Sequence, residues 1–405
     1  MNTQPETPPC DLCQSNPSSP SVILHDELIA DIKSRLPVKL LMQMKCVCKF
    51  WKTLISHPSF IKMHLVRSEQ NSYSYVVSHK KSKHDGDFIF VPFSVNHLLQ
   101  NRSITFPNDP YYQLNDKDCR DVIGSCNGLV CLLGYSPSEH AQTEFWLRFW
   151  NPATRTISDK LGFFRDVKPE WGSWNFVFGY DNSTDTYKVV ALNTANNRRE
   201  VTVLSLGENV WRTIQSFPVV PSKLSSSDSR MYGGVYFSCT VNWLGTNPRN
   251  DKLFDDSVII SLNLSTETYT QMLPPSGFEI VIPLVVPSVC VLMNSLCFYH
   301  DAEGTHFVIW RMTEFGNDKS WTKLLKLDYH RNLRMNHKIE LDFLALKIMP
   351  LHVSEDGDTI VFANNLESRA ILYNRRTKRA RKTRINKKIC WFSMKGHVES
   401  LVSTS

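Results

Sequence analysis

Two turn phrases recur along this chain with one shared spacing, and that spacing constrains the fold more than any other feature. The first phrase centres on Asn127, Asp185, Asn242, Asn294 and Asp356, in steps of 58, 57, 52 and 62 residues. The second centres on Asn151, Glu208, Thr266, Asn317 and Arg375, in steps of 57, 58, 51 and 58 residues. Short apolar, β-type runs lie between the phrases. Two interleaved turns per period describe a unit of two hairpins, and four strands repeated radially make a β-propeller blade. Five units are visible. Residues about 72–92 and 389–402 both read as strand and are expected to pair into a sixth blade that closes the ring. An open array of β-sandwich units with chance spacing is the competing architecture.

The first part of the chain reads differently. Residues 1–20 are rich in Pro, Ser, Thr, Asn and Gln and are expected to form a disordered tail. Residues 21–66 carry helical spacing. Leu24, Leu28, Ile29, Ile32 and Leu36 form one stripe, and Pro37 stops that helix and starts the next. Val38, Leu41 and Met42 mark a second helix, Val47, Phe50, Trp51, Leu54 and Ile55 a third, and Pro58 with Phe60, Ile61 and Leu65 a fourth. Four helices this short enclose too small a core to stand alone, so part of their apolar surface must pack on the rest of the chain or on a partner.

The 405-residue chain is 42% hydrophobic with a formal net charge of +7, which excludes a wholly disordered protein. The N-terminus has no apolar run of the signal-peptide kind. The longest apolar stretch, Ile280 to Met293, is interrupted by Pro283 and Pro287 and falls short of the roughly 20 residues a bilayer needs. The eleven cysteines are scattered and often flanked by apolar residues, as in a reducing compartment. These features predict a protein of the cytoplasm or nucleus with no membrane association.

The helical block resembles the F-box. The matching elements are Leu24, Glu27-Leu28-Ile29, Ile32, Arg35-Leu36-Pro37-Val38-Lys39, Val47-Cys48-Lys49, Trp51 and Ser56-His57-Pro58-Ser59-Phe60. His25 departs from the pattern, which usually has Pro there. Residues 72–402 resemble the kelch-like, F-box-associated domain of plant F-box proteins through Gly124 to Leu129, Trp150 to Arg155, Phe178 to Asp181, Asp185 to Val190, Trp243-Leu244, Leu296-Cys297, Trp310 and Trp321 to Lys323. The implied architecture is α+β and multidomain, a small all-α F-box followed by a mainly β propeller of about six blades. The resemblance implies a substrate receptor of an SCF-type ubiquitin ligase, partnered by a Skp-type adaptor and, through it, a cullin, with an unknown protein target. Leu24, Leu28, Ile32, Leu36, Pro37, Val38, Leu41 and Trp51 are the expected adaptor anchors. Val47 and Trp51 lean toward the core, and Leu24, Pro37 and Val38 toward the adaptor. An interaction scaffold outside any ligase is the other reading.

No catalytic constellation stands out. GxxxxGK[ST], HExxH and GxSxG are absent, and His330-Arg331-Asn332 lacks the Asp of a kinase catalytic loop. Cys10 and Cys13 offer two metal ligands where a structural zinc needs four, so neither metal nor cofactor is expected. A propeller hydrolase would need paired carboxylates at one ring face, and the repeat supplies no evident pair. The densest charge is the run Arg375, Arg376, Lys378, Arg379, Arg381, Lys382 and Arg384, followed by Lys387 and Lys388. It reads as a solvated outer strand, a nuclear-import signal or an electrostatic docking patch. It has no interleaved aromatics for base stacking, so nucleic acid is not expected. For target capture the favoured residues are Trp171 and Trp174 in the loop 165–175 and Arg249 in the loop 247–256, with 222–232 as a companion.

Overall fold

The computed structural model describes residues 26–71, 74–80, 88–100, 103–104, 113–137, 142–167, 174–194, 199–221, 233–246, 257–276, 287–329, 331, 348–364, 369–385 and 394–404. The expected tail 1–20 and Leu24 lie outside them. The helical block comprises α1 (Asp26–Lys33), α2 (Val38–Met44), α3 (Lys49–Ser56) and α4 (Pro58–Asn71). Pro37 is the N-cap of α2, with φ −56° and ψ 145°, outside the helical region as an N-cap residue is.

The rest is a six-bladed β-propeller of antiparallel blades. Blade 1 pairs strands from both parts of the chain, in the order Lys395–His397, Ser74–Lys80, Phe88–Ser94 and Leu114–Asp116. Ser74 faces His397 and Val76 faces Lys395, so the ring closes as the repeat predicts. Blade 2 runs Asp121–Cys126, Leu129–Pro137, Gln142–Asn151 and Thr156–Ile157, with Leu161–Val167 added along the far half of the third strand. Blade 3 is Trp174–Asp181, Thr186–Asn193, Glu200–Ser205 and Trp211–Thr213. In blade 4, Val220–Pro221 and Val235–Phe237 share the inner position beside Thr240–Thr246, Ser257–Asn263 and Tyr269–Met272. Blade 5 is Ser288–Leu292, Ser295–Ala302, His306–Met312 and Trp321–Asp328. Blade 6 is Ile348–Val353, Thr359–Asn364, Arg369–Asn374 and Arg379–Lys382.

Each seam between blades is a separate core. Tyr299, Phe307, Ile360 and Phe362 fill the seam of blades 5 and 6, and Val190, Val203, Trp243 and Ile260 that of blades 3 and 4. Tyr75, Phe93, Leu98, Val361 and Leu372 close the ring between blades 6 and 1. Second strands are covered on both sides, which explains their near-continuous apolar runs. Ser295–Ala302 is buried along almost its whole length.

The recurring turns have a local chemical cause. Asn151, Asp181, Asn263 and Asn374 each end a strand and accept bonds from residues two or three positions on, with a Thr at the third position after each. The following residue, Arg155, Asp185, Glu267 or Lys378, turns the chain back with φ between 54° and 61°. A carboxyl or amide side chain that mimics the backbone makes this turn available without glycine.

Strand parity sorts the connections between two faces. The turns from first to second strand and from third to fourth strand open on one face, and these are the two phrases seen in the sequence, except that Asn242 falls inside the strand Thr240–Thr246, just after its turn at Ser238 and Cys239. Connections from second to third strand, and from each blade to the next, start from strand ends on the other face. The loops 165–175 and 247–256 belong to that second set, 222–232 is an insertion between the two strands that share the inner position of blade 4, and all three lie largely outside the described residues. The helical block enters Ser74–Lys80 from the turn face, and the chain after Lys395–His397 leaves on the same face.

Candidate functional site

The helical block sits on the turn face over blades 2 and 3. Val38, Leu41, Ile55 and Phe60 form one buried cluster with Ala153, from the outer turn of blade 2, and Leu401, from the C-terminal segment. The backbone N–H of Val38 donates to Glu399 Oε2 at 3.3 Å, and Lys62 Nζ meets Asp185 Oδ2 at 2.8 Å in the inner turn of blade 3. The surplus apolar surface inferred from the sequence is thus partly covered by the propeller itself.

Inside the block, α1 and α4 are tied by polar contacts. Arg67 pairs with the Asp31 carboxylate and also donates to Asp31 O at 2.6 Å. That Arg67 bond is the main cause holding the Asp31 carboxyl below its usual range. His64 Nε2 donates to Leu36 O at 3.0 Å, and burial lowers its pKa, which keeps the ring neutral. Phe50 and Trp51 meet edge-on at 5.2 Å, and Lys33 Nζ lies 5.2 Å from the Trp51 ring centre.

Several apolar side chains of the block are exposed. Leu28 and Ile32, one turn apart on α1, are 52% and 51% exposed, and Leu40, Val47 and Phe50 extend the same exposed set. Pro37 is exposed beside them. The anchors expected from the sequence therefore separate. Leu28, Ile32 and Pro37 face solvent, while Leu36 and Trp51 are half-buried. Val38 and Leu41 are fully buried under Ala153 and Leu401 and are out of reach of any partner in this arrangement. Val38, expected to lean toward the adaptor, is fully buried, and Val47, expected to lean toward the core, is 72% exposed in the turn after α2. Helical spacing identifies apolar faces, but the residues that cover Val38 come from distant parts of the chain.

On the loop face, Trp171 and Arg249 lie outside the described residues. Trp174 opens blade 3, half-buried, and donates from Nε1 to Asp166 Oδ2 at 2.7 Å. It lies 5.2 Å from Phe164 and 6.2 Å from Phe176 in an aromatic group that also includes Phe145 and Trp211. The basic residues Arg375, Arg376, Lys378, Arg379, Arg381 and Lys382 form the outer turn and edge strand of blade 6, and Arg384 follows in a short strand beside Ser103–Ile104.

The buried carboxylates among the described residues are Asp116, Asp181 and Asp301, and each is structurally engaged. Asp116 binds Arg148 at 2.7 Å and caps Cys119. Asp301 accepts from Tyr329 and Gly304. Burial alone raises the Asp181 pKa, but bonds from Ser265, Lys188, Ser183 and Thr184 outweigh it and hold the carboxyl far below the usual range. Among the described residues, no group of three or more His, Cys, Asp or Glu is placed to hold a metal, and no helix is long and apolar enough to cross a membrane.

Comparison with known proteins agrees with the architecture. Residues 63–390 match the F-box associated beta propeller domain. An F-box/kelch-repeat protein of Arabidopsis thaliana is 27% identical over 74% of this chain and 78% of its own length. A second Arabidopsis F-box protein is 27% identical over 74% of this chain and 89% of its own length, and the Arabidopsis F-box protein CPR1 is 24% identical over 76% and 74%. With its six blades, its helical block and the match over most of its length, the chain belongs to the F-box associated beta propeller domain family.

Proposed function

We propose that this protein is the target-recognition subunit of an SCF-type ubiquitin ligase. The observation that carries the reading is the set of exposed apolar side chains on a helical block packed against a propeller. Leu28, Ile32, Leu40, Val47 and Phe50 are exposed while Val38, Leu41, Ile55 and Phe60 of the same block are buried against Ala153 and Leu401. Such a surface suits a groove on a Skp-type adaptor, and a cullin joins through that adaptor. The loop connections spring from the opposite face, so a protein target held there leaves the adaptor surface free. The chain supplies geometry and catalyses no step. It raises the effective concentration of target lysines near a recruited conjugating enzyme.

The test is co-purification of the full chain with a Skp-type adaptor and a cullin, beside the Leu28→Asp, Ile32→Asp double variant. Recovery by the native chain and loss in the variant is the expected result. Absence of both partners from well-folded native protein would refute the ligase reading and favour a scaffold outside any ligase.

A further inference from the structure

The outer hairpin of blade 6 carries the densest positive charge of the molecule. Nine of the fourteen residues 375–388 are Lys or Arg, more than the net +7 of the whole chain, so the remainder is slightly acidic. The structure fixes the start of this run in a folded turn. Arg369–Asn374 pairs with Arg379–Lys382, with Asn374 opposite Arg379 and Tyr373 opposite Ala380. Asn374 Oδ1 accepts from Thr377 N at 2.8 Å and Thr377 Oγ1 at 3.0 Å, and Lys378 completes the turn with φ 54°. Arg375, Arg376, Lys378 and Arg379 are all exposed on it.

Anchoring contacts engage only part of this charge. Arg376 Nε meets Asp358 Oδ2 at 2.7 Å with its side chain 77% exposed, and Arg375 donates to Gly357 O at 3.1 Å. Each guanidinium has five N–H donors, so most remain directed at solvent. Arg381 is turned inward and donates to Leu99 O, which fixes the strand against the helix Val95–Gln100. Beside the basic turn lies the inner turn of the same blade, with Glu355, Asp356 and Asp358. Its loop is rigid too: Asp356 Oδ1 accepts from Ser354 Oγ at 2.5 Å and Asp358 N at 2.9 Å. Blade 6 therefore presents a preorganised basic turn next to a preorganised acidic one.

We propose that this pair of turns docks a protein segment in which a short acidic run adjoins basic residues. The complementarity is two-sided: carboxylates meet Arg375, Lys378 and Arg379, and the flanking basic residues meet Glu355 and Asp356. A nucleic-acid backbone fits less well. Its uniform negative charge would run onto the acidic turn, and residues 374–382 include no aromatic side chain for stacking. A receptor that reads the run as an extended peptide would first have to strip Arg379–Lys382 from its partner strand. The hairpin is a third-to-fourth turn, so it opens on the face that bears the helical block. The docked segment thus belongs to a protein approaching that face.

The test is fluorescence anisotropy of the full chain with a labelled octaglutamate–tetralysine peptide and, separately, a short DNA duplex. The comparison protein carries Arg375→Gln, Lys378→Asn and Arg379→Gln. It keeps the Arg376 and Arg381 anchors, and Asn tolerates the left-handed turn position. The native chain is expected to bind the peptide with an affinity that falls as salt rises, and the triple variant to bind about tenfold more weakly at an unchanged melting temperature. Should the triple variant melt early, Lys378→Gly alone, which relaxes the turn, is expected to show a two- to threefold loss. Peptide binding unchanged by these substitutions, or tighter binding of the duplex than of the peptide, would overturn the proposal.

Discussion

The side-chain amide of Asn151 donates to the carbonyls of Ser400, at 3.0 Å, and Val402, at 2.8 Å, so one turn residue of blade 2 holds the end of the chain in place. Its Oδ1 meanwhile accepts from the N–H of Ala153 at 3.0 Å. The two residues flanked by these bonds, Ala153 and Leu401, are the ones that seal the helical block. Fully buried Asn151 thus orders both surfaces of that seat.

Replacing Asn151 by Ala leaves the buried carbonyl of Ser400 and the half-buried one of Val402 without their donor. The expected loss is about 1–3 kcal/mol of unfolding free energy, read from the urea midpoint. Residues 399–404 should also become cleavable by a C-terminal protease at concentrations that spare the native protein. A native cleavage pattern would show that the tail is held by other contacts.

Substitutions in the helical block should divide by exposure. Val38→Asp places a charge in a fully covered site, with an expected cost of about 3 kcal/mol or more. Leu28→Asp with Ile32→Asp alters exposed positions only, and the shift in urea midpoint should correspond to about 0.5 kcal/mol per site or less. Equal destabilisation by the two variants would contradict the seating described above.

Two glycines give a paired comparison. A methyl on Gly128 would lie 2.1 Å from Ser400 Oγ and 3.0 Å from Val398 O at a φ of +81°, so Gly128→Ala both strains the turn and displaces the tail. Gly207 has φ +106° with nothing within 4 Å of its added methyl, so Gly207→Ala carries the backbone cost alone. The first variant should melt several degrees below the second.

Acid should weaken the ring through two histidines. His397 is buried and His352 half-buried, and desolvation lowers each pKa from 6.5 to about 4. Their folded pKa values lie below the unfolded one, so between pH 6.5 and 4 the unfolded chain binds more protons and stability falls with falling pH. Each histidine removes about 1.4 kcal/mol per pH unit in that window, or about 2 kcal/mol by pH 5. Burial also lowers the pKa of His64 and His300, which act in the same direction; urea midpoints at pH 7, 6 and 5 should show stability falling with pH, and His397→Asn should remove part of that slope.

The parts of this structure that rest on local chemistry could be read from the chain. The turn at Asn151 needs only a few side chains at fixed offsets and recurs at Asp181, Asn263 and Asn374, while the period, and hence the blades, comes from the two interleaved series of turn phrases. Pro37 and Pro58 mark the starts of α2 and α4 for the same reason. The pairing of Ser74–Lys80 with Lys395–His397 was legible because a ring of such units needs closure. The orientation of the helical block was not. Val38, Leu41 and Val47 are all apolar at helical spacing, and what separates them is contact with Ala153 and Leu401, neither of which signals a role in its own surroundings. Trp174 shows the same limit: its bond to Asp166 arises from the added strand Leu161–Val167, which breaks the four-strand rule of the repeat.

The pairing of early and late strands in blade 1 also sets an order of synthesis. The helical block and five blades are translated before the strand Lys395–His397 and the tail that seats Val38. Until those residues emerge, the ring lacks its innermost closing strand and the helices lack their platform. A chain that stops before Lys395 should therefore lack both the closing strand of blade 1 and the residues that seat Val38.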